Sequence, residues 1–248
     1  MACTPASGSG FAVGSTNVEC VATDALNRSS SCTFSVTVNA PPRLRLSRFM
    51  AYGDSVTAGQ VIVPGTEDVQ LIPAQAPYPE VLSQLLVARY VGQNVSVFNA
   101  GRPVERAELA SGRFRAAFNA ANPEAVIVLE GYNDLLYADS TQGIQAVEAG
   151  VSAVAAEARS HGVRVFISTL TPTKPGRRNI PLGVIAAAND RLRVVAKGEG
   201  AYLIDVFSAL LPDLNGNIGS DGLHPTEIGY RRIAETVFAA IRADLEIH

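Results

Sequence analysis

The sequence predicts an α/β domain built on a five-stranded parallel sheet covered by helices on both faces, preceded by a small all-β segment. Three observations carry this reading. From residue 44 onward, five short apolar runs alternate with five stretches of helical periodicity. Residues 1–39 instead alternate at period two and are rich in Ser, Thr, Val and Gly. Hydrophobic residues make up 47% of the 248-residue chain and charged ones 17%, enough apolar material for a packed core and too little charge for disorder.

In chain order, Val18–Thr23 and Cys32–Val38 read as two strands joined by the polar turn Asp24–Ser29, a hairpin with one buried face. Asn39-Ala40-Pro41-Pro42-Arg43 follows as a stiff, extended connection. The domain boundaries are therefore 1–39 for the β segment, 40–43 for the Pro-rich linker and 44–248 for the α/β domain. Strands are expected at Leu44–Tyr52, Val95–Asn99, Ala125–Glu130, Val163–Ser168 and Ala201–Asp205. Helices fill the gaps at Tyr78–Tyr90, Arg106–Ala120, Gly143–Ser160, Leu182–Lys197 and Thr226–Glu246.

Composition narrows the function classes. The net charge is −3, and no basic cluster is longer than the pairs Arg177-Arg178 and Arg231-Arg232, so a nucleic-acid partner is not expected. No apolar run reaches the roughly 18 residues of a spanning helix, so no integral membrane segment is expected. Trp is absent and 6% of residues are aromatic, which disfavours an aromatic platform for polysaccharide. All three cysteines, Cys3, Cys20 and Cys32, lie in the first 32 residues, which suits a stapled appendage in an oxidising compartment. Cys20 can pair with Cys32, or Cys3 with either; the spacing does not choose. Met1 opens onto Ala-Cys-Thr-Pro, without the charged start and apolar stretch of a signal peptide.

The chemistry-bearing residues fall at strand ends. Gly53-Asp54-Ser55-Val56-Thr57 follows the first strand, and a serine framed by a glycine turn is exposed as a nucleophile. Thr57 stands where the second glycine of Gly-x-Ser-x-Gly would be, which lowers the α/β-hydrolase reading. Asn99-Ala100-Gly101 and Gly131-Tyr132-Asn133-Asp134 end the next two strands. A glycine N–H at Gly101 and the Asn133 amide are neutral donors suited to an oxyanion, although Gly101 also reads as a plain turn and Asn133 as a helix cap. Before the last helix, Asp221-Gly-Leu-His224-Pro225 sets a carboxylate three residues upstream of an imidazole. That spacing folds Asp221 onto Nδ1 and leaves Nε2 for Ser55, with Asp134 as the rival carboxylate. His161 reads as a helix-end residue, His248 as incidental, and Asp205 as structural. Hydrophobic residues around Val61–Pro77, with Ile180 and Leu182, either line an acyl pocket or cap the core. Neither a zinc-type ligand pair nor a phosphate-cradling loop occurs, so no metal and no cofactor are expected.

Taken together, Gly53-Asp54-Ser55, Gly101, Gly131-x-Asn133-Asp134 and Asp221-x-x-His224-Pro225 resemble the four blocks of the SGNH (GDSL-type) hydrolase superfamily, in that family's order, over roughly residues 46–245. The resemblance implies a flavodoxin-like three-layer α/β/α sandwich. It implies Ser55 as nucleophile, His224 as base and acid, Asp221 as its orienting partner, and an oxyanion hole of Ser55, Gly101 and Asn133. One departure is visible: Arg102-Pro103-Val104-Glu105 follows Gly101 where the family often carries a further glycine.

Within residues 1–39, Cys3-Thr-Pro-Ala-Ser-Gly-Ser through Val13-Gly14-Ser15-Thr16, Cys20-x-Ala22-Thr23-Asp24 and Cys32-Thr-Phe34-x-Val36-x-Val38 resemble the second half of a HYR (hyalin repeat) module, an immunoglobulin-like extracellular family. The open strand edge of a half-module would then be covered by the catalytic domain, by another copy of the chain or by upstream sequence. The expectation is a secreted or cell-surface serine esterase acting on a small-molecule or lipid-like ester of short acyl chain through an acyl-enzyme. The alternatives are an acetylesterase on decorated polysaccharide and a non-catalytic surface-binding protein.

Overall fold

The computed structural model describes residues 1–247 except Pro64, Glu67 and Gln75; His248 lies outside the described residues. The chain divides into two compact units, Met1–Arg43 and Leu44–Ile247.

The first unit is a three-stranded antiparallel sheet, β1 (Ala2–Thr4), β2 (Gly14–Thr23) and β3 (Ser29–Val38), in the order β1-β2-β3. The turn expected between the long strands is set by Asp24, whose carboxylate accepts the N–H groups of Leu26 and Arg28 at 2.9 Å each. Cys3, Cys20 and Cys32 occupy one cross-strand row, Cys3 opposite Cys20 and Cys20 opposite Cys32. The disulfide joins Cys3 to Cys20 and leaves Cys32 a free, exposed thiol. Spacing could not have chosen, because the register sets Cys20 between two neighbours.

The second unit opens with the short β4 (Arg43–Leu44, whose second residue belongs to this unit) and the central strand β5 (Arg48–Gly53). It continues through α1 (Ser55–Ala58), the small hairpin β6 (Gln60–Ile62) and β7 (Val69–Leu71), α2 (Tyr78–Arg89) and β8 (Ser96–Gly101). Next come α3 (Ala107–Ala121), β9 (Ala125–Leu129), α4 (Tyr132–Tyr137), α5 (Ser140–Ser160), β10 (Arg164–Ser168) and α6 (Leu182–Gly198). The unit ends with β11 (Tyr202–Ile204), α7 (Val206–Leu210), α8 (Leu214–Asn217), α9 (Glu227–Leu245) and β12 (Glu246–Ile247).

Five strands form one parallel sheet in the order β11-β10-β9-β5-β8. Every residue of β9 is buried, as expected for a strand covered on both sides. Helices α3, α5 and α6 pack side by side in one layer, and α2 packs with α9 in the other. This is the expected three-layer α/β/α sandwich. Its strand order reverses at β5, flanked by β8 and β9, so the crevice beyond the carboxyl end of β5 is where such a sheet binds ligands. The strands run slightly differently from their apolar limits. The first begins at Arg48 rather than Leu44, because the N–H groups of Ser47 and Arg48 turn onto the Glu124 carboxylate at 2.8 and 3.0 Å.

Candidate active site

The site is assembled at that reversal. Strand β5 ends at Gly53, where an added Cβ would lie 1.9 Å from the Leu129 carbonyl oxygen, so only glycine lets the two strand ends close. Asp54 then caps α1, accepting the Val56 N–H at 3.0 Å, and Ser55 becomes the first helical residue. At that position the Ser55 N–H has no intrahelical acceptor and points out of the helix.

His224 arrives from the loop before α9, which is pinned on both sides. Gly219 N–H donates to the His224 carbonyl at 2.8 Å, and Arg178 N–H to the Asp221 carbonyl at 2.7 Å. One Asp221 oxygen accepts the N–H groups of Leu223 and His224, each at 3.1 Å. The other meets His224 Nδ1 at 2.6 Å. On the far side of the ring, Nε2 lies 3.0 Å from Ser55 Oγ. Only 5%, 4% and 1% of Ser55, Asp221 and His224 are exposed, so this chain of hydrogen bonds is shielded from competing water. Burial pushes the Asp221 carboxyl up, but the imidazole and the two N–H groups outweigh it and hold it below the usual range. Ionised Asp221 therefore accepts the Nδ1 proton, and Nε2 is left to accept from the serine hydroxyl.

The other candidates take separate positions. Asp134 turns away from the imidazole and caps α3, accepting Ala107 N–H at 2.7 Å. Asn133, 4% exposed, donates one amide hydrogen to the Glu105 carbonyl at 2.6 Å and keeps the other. Gly101 packs so closely on α1 that a Cβ would lie 2.1 Å from the Ala58 nitrogen. Its N–H, however, already donates to the Asn99 side-chain oxygen at 3.0 Å. On the same segment the Val104 N–H makes no hydrogen bond among the described residues. Asp205 caps α7 through Ser208 N–H at 3.1 Å, and His161 ends α5 with its ring stacked on Phe118. Ile72 and Ile180 are buried in the core, whereas Ile62 lines a cavity of about 250 Å³ beside Asp221. A second cavity of about 520 Å³ lies against residues 102–106. Among the described residues no group of three or more His, Cys, Asp or Glu could hold a metal ion.

Two residues inside the motifs, Tyr132 and Asp54, are given no role by the sequence. Tyr132 donates its N–H to Asp54 at 3.3 Å, and its hydroxyl accepts the Thr171 N–H at 2.6 Å, joining the ends of β5, β9 and β10. Burial, against the opposing pull of neighbouring N–H groups, pushes the Asp54 carboxyl up to about 7. A folded-state value above the 3.8 of a free aspartate means the native protein holds an extra proton between the two. The Asp54 contribution to stability is thus fully present below about pH 4 and lost as pH rises through about 7, at most ~4 kcal/mol. Asp54→Asn is expected to flatten the fall in Tm between about pH 4 and 7; an unchanged slope in differential scanning fluorimetry would place the titration elsewhere.

Residues 51–232 match the GDSL-like lipase/acylhydrolase family. The chain belongs to this family. Residues 1–38 match the HYR domain. The fold of this GDSL-like hydrolase is shared by the lipase/acylhydrolase from Enterococcus faecalis, at 22% identity and a TM-score of 0.67, covering 81% of this chain and 97% of that one. It is also shared by the aryl esterase of M. smegmatis, at 17% identity and 0.63, covering 79% and 99%. An acetylxylan esterase from Geobacillus stearothermophilus is alike at 18% identity and 0.63, covering 79% and 94%. A comparison with curated proteins finds no match. Among the described residues no helix of this hydrolase is long and apolar enough to cross a membrane.

Proposed function

We propose that the protein is a serine esterase that hydrolyses small carboxylic esters through an acyl-enzyme. The observation that carries this is the continuous path from the Asp221 carboxylate through His224 to the Ser55 hydroxyl, with links of 2.6 and 3.0 Å. In this reading His224 Nε2 takes the Ser55 proton as Oγ attacks the ester carbonyl, and the imidazolium returns it to the leaving alkoxide. Water activated by the same nitrogen then releases the acid. Ser55 N–H and the spare Asn133 amide hydrogen stabilise the oxyanion. The third donor comes from the 101–104 segment. Gly101 is the expected one, its N–H then shared with the Asn99 side chain, and the Val104 N–H, without an acceptor among the described residues, is a second candidate.

The cavity of about 250 Å³ that Asp221 lines together with Ile62 and Ser220 has room for a small acyl or alcohol group. The Cys3–Cys20 disulfide and the HYR match support action outside the cytoplasm. A fluorophosphonate is expected to label the folded protein stoichiometrically at Ser55, mapped by peptide mass spectrometry, and prior acylation with p-nitrophenyl acetate to slow the labelling. Folded protein left unlabelled would mean a non-catalytic binding role. Comparing p-nitrophenyl acetate, longer acyl esters and acetylated xylan then ranks the substrates.

A further inference from the structure

The Arg102–Glu105 segment, where the sequence departs from its family, is a tight turn closed by the Glu105 N–H donating to the Arg102 carbonyl at 3.3 Å. Pro103 takes the first central position and Val104 the second, with φ of 58°. That position calls for glycine, and a β-branched residue there is held by its surroundings rather than by its own preference.

The holding group is one guanidinium. Arg113, on α3, donates Nε to the Glu105 carboxylate at 2.7 Å, and its Nη2 bonds the second Glu105 oxygen. Its Nη1 donates to the Ala100 carbonyl at 2.9 Å and its Nη2 also reaches the Gly53 carbonyl at 3.5 Å. Its plane lies over the Tyr52 ring, 4.2 Å from the centroid. One side chain thus ties the ends of β5 and β8 to the turn. Glu105, the residue so fixed, is the one whose carbonyl takes the Asn133 amide at 2.6 Å.

Resting on the esterase reading above, we propose that Arg113 is a positioning residue of the hydrolytic site. Its planar fork keeps the 102–105 turn in the left-handed shape that aims the Asn133 amide and the Val104 N–H at the oxyanion. It touches no reacting atom. A lysine keeps the charge but cannot reach this set of acceptors with the same geometry. A mere core ion pair would move stability and leave turnover per folded molecule alone.

The test uses the full chain and p-nitrophenyl acetate. Arg113→Met and Arg113→Lys are both expected to lower kcat about 10- to 100-fold with KM within about twofold, the size of effect a displaced donor produces. Asn133→Ala, expected to cost about 10²–10³ in the wild type, should cost far less once Arg113 is Met, because the amide is then already misaimed. Val104→Gly in the Arg113→Met background should restore part of kcat, since glycine holds the turn unaided. Unchanged kcat with a lowered Tm, or full additivity with Asn133→Ala, would overturn the proposal. Should the Arg113 variants fail to fold, Glu105→Gln retains the backbone carbonyl and the side-chain shape; the same loss of kcat supports the proposal and wild-type kcat ends it. Full Ser55 labelling alongside wild-type kcat in these variants would sink the role of Arg113 and leave the esterase reading standing.

Discussion

Replacing Ser55 by alanine is expected to lower kcat for p-nitrophenyl acetate by about 10⁴–10⁶-fold, leaving only what the oxyanion donors and substrate binding supply. The size follows from the geometry. Among the described residues Ser55 Oγ is the one nucleophilic atom bonded to His224 Nε2, at 3.0 Å, and alanine leaves the base with nothing to deprotonate but water. The fold should not suffer, because the hydroxyl's partner is that imidazole and alanine suits the first turn of a helix at least as well. A circular dichroism spectrum and Tm close to wild type, with turnover gone, is the expected pair of results. Turnover within tenfold of wild type would show that the chemistry lies at another residue.

What could be read from the sequence follows from how local each signal is. Ser55 sits one turn past a strand, and Asp221 lies three residues from His224, so both relations survive in the linear chain. The long helices span enough residues to show a period, and the five sheet strands lie in short apolar runs. The helices α1, α4, α7 and α8, of four to six residues, do not complete enough turns to show one. The hairpin β6–β7 has three-residue strands and leaves as little trace. The oxyanion side was harder for another reason. Whether a backbone N–H is free depends on its acceptor, and nothing in Asn99-Ala100-Gly101 announces that the Asn99 side chain folds back onto Gly101. The Glu105–Arg113 pair joins a turn to a helix across eight positions and belongs to no motif. Its one trace in the sequence was the missing glycine, which marked the turn without revealing what holds it.

Asp221→Asn is expected to lower kcat by about 10⁴ while KM changes little, a loss as large as removing the carboxylate altogether. The reason is the way its two oxygens are divided. One accepts the N–H groups of Leu223 and His224 at 3.1 Å each, so the asparagine carbonyl must take that place. The amide nitrogen then falls where the other oxygen met Nδ1 at 2.6 Å, and it can only donate there. Nδ1 becomes the acceptor, the ring proton moves to Nε2, and the nitrogen facing Ser55 can no longer receive a proton. Asp134 offers no rescue, because its carboxylate is committed to the start of α3. The two backbone bonds to Oδ1 survive in the variant, so the loop should keep its shape and the deficit should appear in turnover rather than in folding. A kcat within tenfold of wild type, in a variant with native Tm, would mean that the orientation of His224 is set by the loop backbone and not by the Asp221 charge.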